Sequence, residues 1–220
     1  MSNFDLEKKH VLKDYKKALE NNQIDSGIVQ ILNLINSHPD YYSTSSCSGR
    51  ILLLALAKPG SKTDSIMLGR WHEPIEKEQL KEHLIKWKIY PYLFFLTQSP
   101  IFHITTHTLP AAILLRNIGE AAGFKYSSIR SIKPIKLDKT ARKKYLIKDK
   151  EIDLYSPQIR ITVELLSTER LNLPLGHEGK IYADDEYLEL LVDLANNSLS
   201  EANKKVKKLE TVLRKELKVC

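Results

Sequence analysis

Tyr41-Tyr42-Ser43-Thr44-Ser45-Ser46-Cys47-Ser48-Gly49-Arg50 runs directly into Ile51-Leu52-Leu53-Leu54-Ala55-Leu56-Ala57. Aromatic, hydroxyl-bearing and thiol side chains fill the first run, one arginine closes it, and an apolar strand follows. The pattern predicts two successive strands, Tyr41–Cys47 and Arg50–Ala57. Small polar side chains leave backbone N–H groups reachable, and successive N–H groups can line an anion-binding concavity. Arg50 adds a planar fork of donors suited to a carboxylate or a phosphate. A plainer reading is a Ser/Thr-rich β-hairpin whose hydroxyls bond their own backbone. The run alone does not separate the two.

Helices precede this run. Phe4, Val11, Leu12, Tyr15 and Leu19 predict a helix over residues 4–20 with one apolar face. Ile28, Ile31, Leu32, Leu34 and Ile35 predict a second, stopped at His38-Pro39 because the residue before proline is pushed out of the helical region. After the run, Lys58-Pro59-Gly60-Ser61 reads as a turn and Ser65–Trp71 as a strand. Ile75–Lys88 reads as a helix, and Tyr92–Thr97 and Ile101–Thr106 as strands. Leu109–Ala122 is a helix with Pro110 at its start and Gly123 past its end, the usual asymmetry. Phe124–Lys133 is extended. Ile159, Ile161, Val163 and Leu165 alternate as a half-buried strand, and Arg170–Leu175 is expected to pair with it across Ser167-Thr168-Glu169. Gly176–Lys180 reads as a tight polar loop. A last helix runs to about Lys218, with Tyr187, Leu188, Leu191, Leu194, Ala195 and Leu199 inward. Strands in hairpin pairs separated by helices predict an α+β fold with an antiparallel or mixed sheet and a long C-terminal helix. No strand–GxGxxG–helix unit and no Walker loop is present, which excludes the usual dinucleotide or Rossmann methyl-donor cradle.

With 220 residues, 42% hydrophobic and 28% charged, the chain reads as a soluble globular protein. We expect a single domain spanning 1–220 with a basic insert at about 134–150. No apolar run reaches membrane-spanning length, and the charged N-terminal stretch lacks the apolar core of a secretory signal. Cys47 and Cys220 are the two cysteines. They match no zinc spacing, so no metal is expected, and a reducing, cytoplasmic location is. Formal net charge is +7, which favours polyanionic partners. Ten Lys and Arg residues against two Asp lie between Lys125 and Lys150, a concentration that suits nucleic acid. Its plainer reading is a solvated face.

Polar clusters interrupt the regular pattern at Ser43–Arg50, Trp71-His72, His103, Gly123–Ser128 and Pro174–Lys180. Sites are built at such strand ends and loops. Cys47 could serve as a nucleophile with a histidine partner, although a free Cys is more often a small packing residue. His103 in its strand is either a satisfied half-buried imidazole or a proton acceptor. His177, between Gly176 and Gly179 and near Lys180, stands where a backbone can approach a ligand. Trp71 can stack on a base, as can Tyr41, Tyr42 and Phe124, or pack in the core.

Thr44-Ser45-Ser46-Cys47-Ser48-Gly49-Arg50-Ile51, Trp71-His72, His103, Ala121-Ala122-Gly123-Phe124-Lys125 with Ser127, Pro174-Leu175, and Glu186-Tyr187-Leu188 with Ala195-Asn196 occur in that order. Together they resemble the wybutosine-synthesis methyltransferase family, the third-step enzymes of that pathway, from about Ser43 to Glu210 and in the compact archaeal style. The resemblance implies an enzyme that uses S-adenosylmethionine to methylate N4 of the tricyclic base at position 37 of phenylalanine tRNA, beside the anticodon. It also implies roles. Ser45, Ser46, Cys47, Gly49 and Arg50 are candidates for holding the methionine carboxylate of the cofactor or an RNA phosphate, with Trp71 and His72 on the cofactor side. His103 and His177 are the candidates for moving or orienting a proton, and Lys125, Ser127, Arg130 and Lys180 for holding the RNA substrate. Alternatives are a non-catalytic RNA-binding module and a Cys47-dependent transferase or hydrolase. The sequence sets no oligomeric state.

Overall fold

The computed structural model describes residues 3–60, 64–134 and 159–217. Most of the expected basic insert, from Lys136 to Lys150, and Cys220 lie outside them. In chain order the described elements are α1 (Asn3–Glu20), α2 (Val29–Ser37), β1 (Tyr41–Cys47), β2 (Arg50–Leu56), β3 (Ser65–Trp71), α3 (Lys77–Leu84), β4 (Tyr92–Gln98), β5 (Ile101–Thr106), α4 (Leu109–Ala121), β6 (Ser128–Pro134), β7 (Ile159–Leu166), β8 (Leu171–His177), β9 (Lys180–Ile181) and α5 (Asp185–Glu216). Every described strand pairing is antiparallel. The α+β class and the long last helix are as the sequence predicts.

Helix ends follow their caps. Thr108 Oγ1 accepts from Ala111 N at 3.3 Å, with Pro110 in the first turn. Glu76 and Gln79 form a capping box at α3, which starts that helix two residues later than the apolar pattern suggests. Asp184 Oδ1 accepts from Tyr187 N at 2.8 Å and opens α5. Each such bond satisfies an N–H that the first turn leaves without a partner.

The chain forms two compact units. The first comprises residues 1–47, 101–167 and 206–220. It holds a four-stranded sheet in the order β1-β5-β7-β6. One sheet face carries Tyr41, Phe102, Ile104, Ile161, Val163 and Leu165. These pack with Ile31 and Ile35 of α2, Leu115 and Ile118 of α4, and Leu209 and Leu213 of α5. The second comprises residues 48–100 and 168–205. Its five-stranded sheet has the order β3-β2-β4-β8-β9. Ile51, Leu53, Leu93 and Phe95 pack there with Leu80 of α3 and Leu188, Leu191 and Leu199 of α5.

Several sequence expectations need correction. The run at Tyr41–Ala57 is not a hairpin: β1 pairs with β5, whereas β2 pairs with β3 and β4. Nor does β8 pair with β7; its partners are β4 and β9. Each strand goes where its apolar face finds a core, which short connections do not reveal. Ile161, Val163 and Leu165 belong to one core, and Leu175 to the other. Tyr187 and Leu194 are exposed on α5 (42% and 43%), because each sits about 100° round the helix from a buried neighbour, Leu188 or Ala195. On α1 Phe4 is buried, while Leu19 is exposed.

The tight polar loop expected at Gly176–Lys180 is a two-residue hairpin turn. His177 ends β8 and pairs with Lys180 of β9. Glu178 and Gly179 have φ of 48° and 80°, both positive, as a two-residue hairpin turn requires. Turn geometry accounts for Gly179 without any ligand.

Candidate functional site

The motif that opened the sequence has one half in each unit, because the division falls between Cys47 and Ser48. Each half is described within its own unit.

In the first unit, strand pairing places side chains in a row. Ser45 of β1 lies opposite His103 of β5, His103 opposite Glu164 of β7, and Glu164 opposite Ser128 of β6. Opposed residues of antiparallel strands project to the same face, so a polar row crosses all four strands. This face is the one away from Phe102, Ile104, Val163 and Leu165, since neighbours along a strand alternate sides. Register shifts beside Thr44 and Arg130 re-aim side chains, as bulges commonly do near sites. Thr44 Oγ1 donates to the His103 carbonyl at 3.2 Å.

His103 Nε2 lies 2.6 Å from Glu164 Oε2. Arg130 Nη1 also bonds Glu164 Oε2 and stands 3.2 Å from His103 Nε2. His103 and Glu164 side chains are 19% and 13% exposed, Arg130 55%. Burial pushes the Glu164 carboxyl up, but the hydrogen bond from His103 and the charge and hydrogen bond of Arg130 outweigh it and hold it below the usual carboxylate range. Glu164 therefore stays negative to lower pH than an ordinary glutamate. Sequence reading missed it because a glutamate on the polar side of an alternating strand looks like a solvated residue. Only the register against His103 distinguishes it.

Ser43, Thr44, Ser45 and Ser46 also line a cleft of about 390 Å³ with Asp14 and Tyr15 of α1, Gln23 and Asp25. Its size falls in the range of small-molecule sites. The lining includes two carboxylates and no lysine or arginine, so it suits a cationic group better than a phosphate. Ser46 Oγ is buried and has no hydrogen-bond partner among the described residues. Cys47 is half-buried and pairs with Ile101.

Lys125 is exposed in the turn after α4. Ser127 Oγ donates to the Phe124 carbonyl at 2.7 Å, closing that turn, and the Gly119 Cα leaves it room: a Cβ there would lie 2.9 Å from the hydroxyl.

In the second unit, Gly49, Arg50, Trp71 and His72 come together. Trp71 is opposite Ile51. Its ring lies across Gly69, where a Cβ would come within 2.1 Å of it, and edge-on to His83 at 5.0 Å. His72 Nδ1 is 3.1 Å from the Gly49 carbonyl, to which it donates, and 3.4 Å from Ser48 Oγ. Arg50 Nε donates to Gln98 Oε1 at 2.7 Å, and its Nη groups have no partner among the described residues. His177 instead tilts against the Tyr92 ring at 4.6 Å, and Lys180 Nζ sits 5.1 Å over Tyr182. Neither bonds to the Arg50–His72 group.

Gly49 has φ +93°, and a Cβ there would lie 3.0 Å from the Gln98 carbonyl and 3.2 Å from Pro100 Cδ. Gly49→Ala should therefore lower stability by about 1–2 kcal/mol, or roughly 2–8 °C in Tm for a chain of this size. Thermal denaturation followed by circular dichroism checks this; an unchanged Tm would show that the turn relaxes freely.

Two antiparallel sheets with flanking helices carry one polar row and a Ser-Ser-Cys-x-Gly-Arg motif, with no Gly-rich nucleotide cradle among the described residues. Residues 6–215 match the Methyltransferase TYW3 family, and the chain belongs to it. A protein of Thermococcus sibiricus is 36% identical over 213 residues, covering 97% of this chain and 95% of that one. One of Archaeoglobus fulgidus is 32% identical over 206 residues, covering 94% and 91%. Both bear the name tRNA(Phe) 7-((3-amino-3-carboxypropyl)-4-demethylwyosine(37)-N(4))-methyltransferase. The solved PH1069 protein of Pyrococcus horikoshii superposes with a TM-score of 0.80 at 33% identity, covering 96% of each chain. Such an enzyme requires a methyl donor. Among the described residues no helix is long and apolar enough to cross a membrane.

Proposed function

We propose that this chain methylates N4 of the 4-demethylwyosine-type base at position 37 of phenylalanine tRNA, with S-adenosylmethionine as donor. The observation that carries the reading is the family match over residues 6–215, supported by relatives of that name covering more than nine-tenths of both chains. In this reading the whole of 1–220 works as one methyltransferase domain in the cytoplasm, engages the anticodon loop, and uses the basic segment from Lys125 onward against phosphates.

The donor, when bound, supplies an electrophilic methyl group on a sulfonium. Each unit, taken by itself, offers residues that suit one of the ligands. The cleft beside Ser43–Ser46 offers Asp14, Asp25 and the unpartnered Ser46 hydroxyl, a donor set that matches a cationic sulfonium and ammonium. In the second unit Arg50, whose Nη groups have no partner among the described residues, matches an anionic group, either a carboxylate or an RNA phosphate. Trp71 and His72 shape that corner, Gly49 and Ser127 hold the backbone, and Lys125, Arg130 and Lys180 meet RNA. His103 would accept the proton that the reacting nitrogen gives up when it is methylated. In this reading His177, tilted against the Tyr92 ring, takes no proton step and belongs to the RNA-facing set.

Mass spectrometry of position 37 tests this directly. Incubated with the donor and tRNA carrying the unmethylated intermediate, the protein should add about 14 Da to that one nucleoside. No added mass, with donor binding absent by calorimetry, would overturn the reading and leave an RNA-binding module.

A further inference from the structure

We infer that Glu164 is the positioning residue of this site: it holds the His103 ring by Nε2, so that Nδ1 is the nitrogen that accepts the substrate proton. The inference rests on the proposed function for the identity of the proton, but its geometry is independent of it.

A neutral imidazole has one N–H and one lone pair, and the partner of one nitrogen fixes the role of the other. At 2.6 Å from a carboxylate oxygen, Nε2 carries the proton and donates it. Nδ1 then holds the lone pair, and no described residue bonds to it. Glu164 is held in turn by Arg130, which bonds the same Oε2. The carboxylate therefore cannot rotate away without losing both partners.

The arrangement also sets a balance of charge. As His103 gains a proton, Glu164 stabilises the imidazolium, and Arg130, 3.2 Å from Nε2, opposes it. Glu164 from β7 and Arg130 from β6 meet the His103 ring, and Asp14 and Tyr15 of α1 and Asp25 line the cleft bordered by Ser45, opposite His103 on β1. Cys47 lies two positions from Ser45 along β1. β5 itself contributes no other charged side chain.

The test has two readouts on the full chain. First, ¹⁵N NMR of the imidazole ring, which requires no activity, should show the Nε2–H tautomer in the wild type. Glu164→Ala should lose that preference and give averaged shifts. Second, kcat across pH should respond to Glu164→Gln. We expect kcat to fall about 10- to 100-fold and the acid limb to move to lower pH, because the imidazolium has lost its carboxylate. KM for tRNA should change less than about 2-fold, and Glu164→Asp should recover part of the rate. In a His103→Ala background Glu164→Gln should have little further effect, since both act through one ring. An Nδ1–H tautomer in the wild type, or an acid limb unmoved in Glu164→Gln, would overturn the inference. Inactivity of the wild type with the tautomer as stated would instead overturn the proposed function alone.

Discussion

His103→Ala should lower kcat for methyl transfer by about 10²- to 10⁴-fold, the contribution typical of a positioned proton acceptor, while leaving tRNA affinity within a few-fold. The structure argues that this loss is chemical rather than structural. His103 lies on the polar side of β5, away from the core that holds Phe102 and Ile104, so truncation opens no apolar cavity. Its backbone pairing to Ser45 and Glu164 does not depend on the ring. Removing a partner from a nearly buried carboxylate would ordinarily be costly, but Glu164 keeps Arg130. The expected loss of stability is therefore about 1 kcal/mol or less. Single-turnover kinetics with saturating donor and tRNA separates the methyl-transfer step from binding, and thermal denaturation reports the fold. Near-normal single-turnover rates would remove His103 from the chemistry, and a large fall in Tm would reassign it to structure.

What could be read in the residue order divides along a physical line. Elements set by local forces are legible. Pro110 after Thr108, Gly123 past α4, and the alternation at Ile159–Leu165 all encode their structure within a few residues. Partners set by long-range burial are not. β1 and β2 are separated by Ser48 and Gly49 alone, yet join different sheets. Nothing in a two-residue gap says whether the chain folds back or departs. Only Gly49's positive φ marks the spot, and a glycine carries no sign of which outcome it serves.

The site follows the same division. His103, Arg50 and Trp71-His72 stand out as polar or bulky residues in a repetitive context. Arg130 is one basic residue among many until its guanidinium is seen on Glu164. Glu164 becomes visible only through three-strand register. The glycines beside His177 are explained by packing and turn geometry. Glycines at 176 and 179 suggested room for a ligand, yet each has a structural reason. Gly176 makes way for the Trp87 ring, which a Cβ would meet at 2.7 Å, and Gly179 completes a hairpin turn at φ +80°. A glycine near a histidine is thus a weak sign of a site until both have been checked against packing.

Arg50→Ala should weaken binding of one ligand by about 10- to 150-fold, the equivalent of a charge-assisted hydrogen bond of roughly 1.5–3 kcal/mol, with Tm nearly unchanged. Arg50 begins β2 and, among the described residues, bonds through its Nε alone, at 2.7 Å from Gln98 Oε1. Gln98 is exposed, so its amide turns to water when the arginine is gone and no buried group is orphaned. The strand's apolar residues, Ile51 and Leu53, remain in their core. Which ligand suffers decides what this half of the motif holds. Calorimetry with S-adenosylmethionine alone and with tRNA alone gives separate answers. Loss confined to the donor places a carboxylate on the Nη groups; loss confined to tRNA places a phosphate there and leaves the donor to the acid-lined cleft at Ser43–Ser46. Arg50→Lys should recover only part of either, because an ammonium keeps the charge but cannot present two parallel donors. Wild-type affinity for both ligands and wild-type kcat/KM in Arg50→Ala would remove this residue from the site.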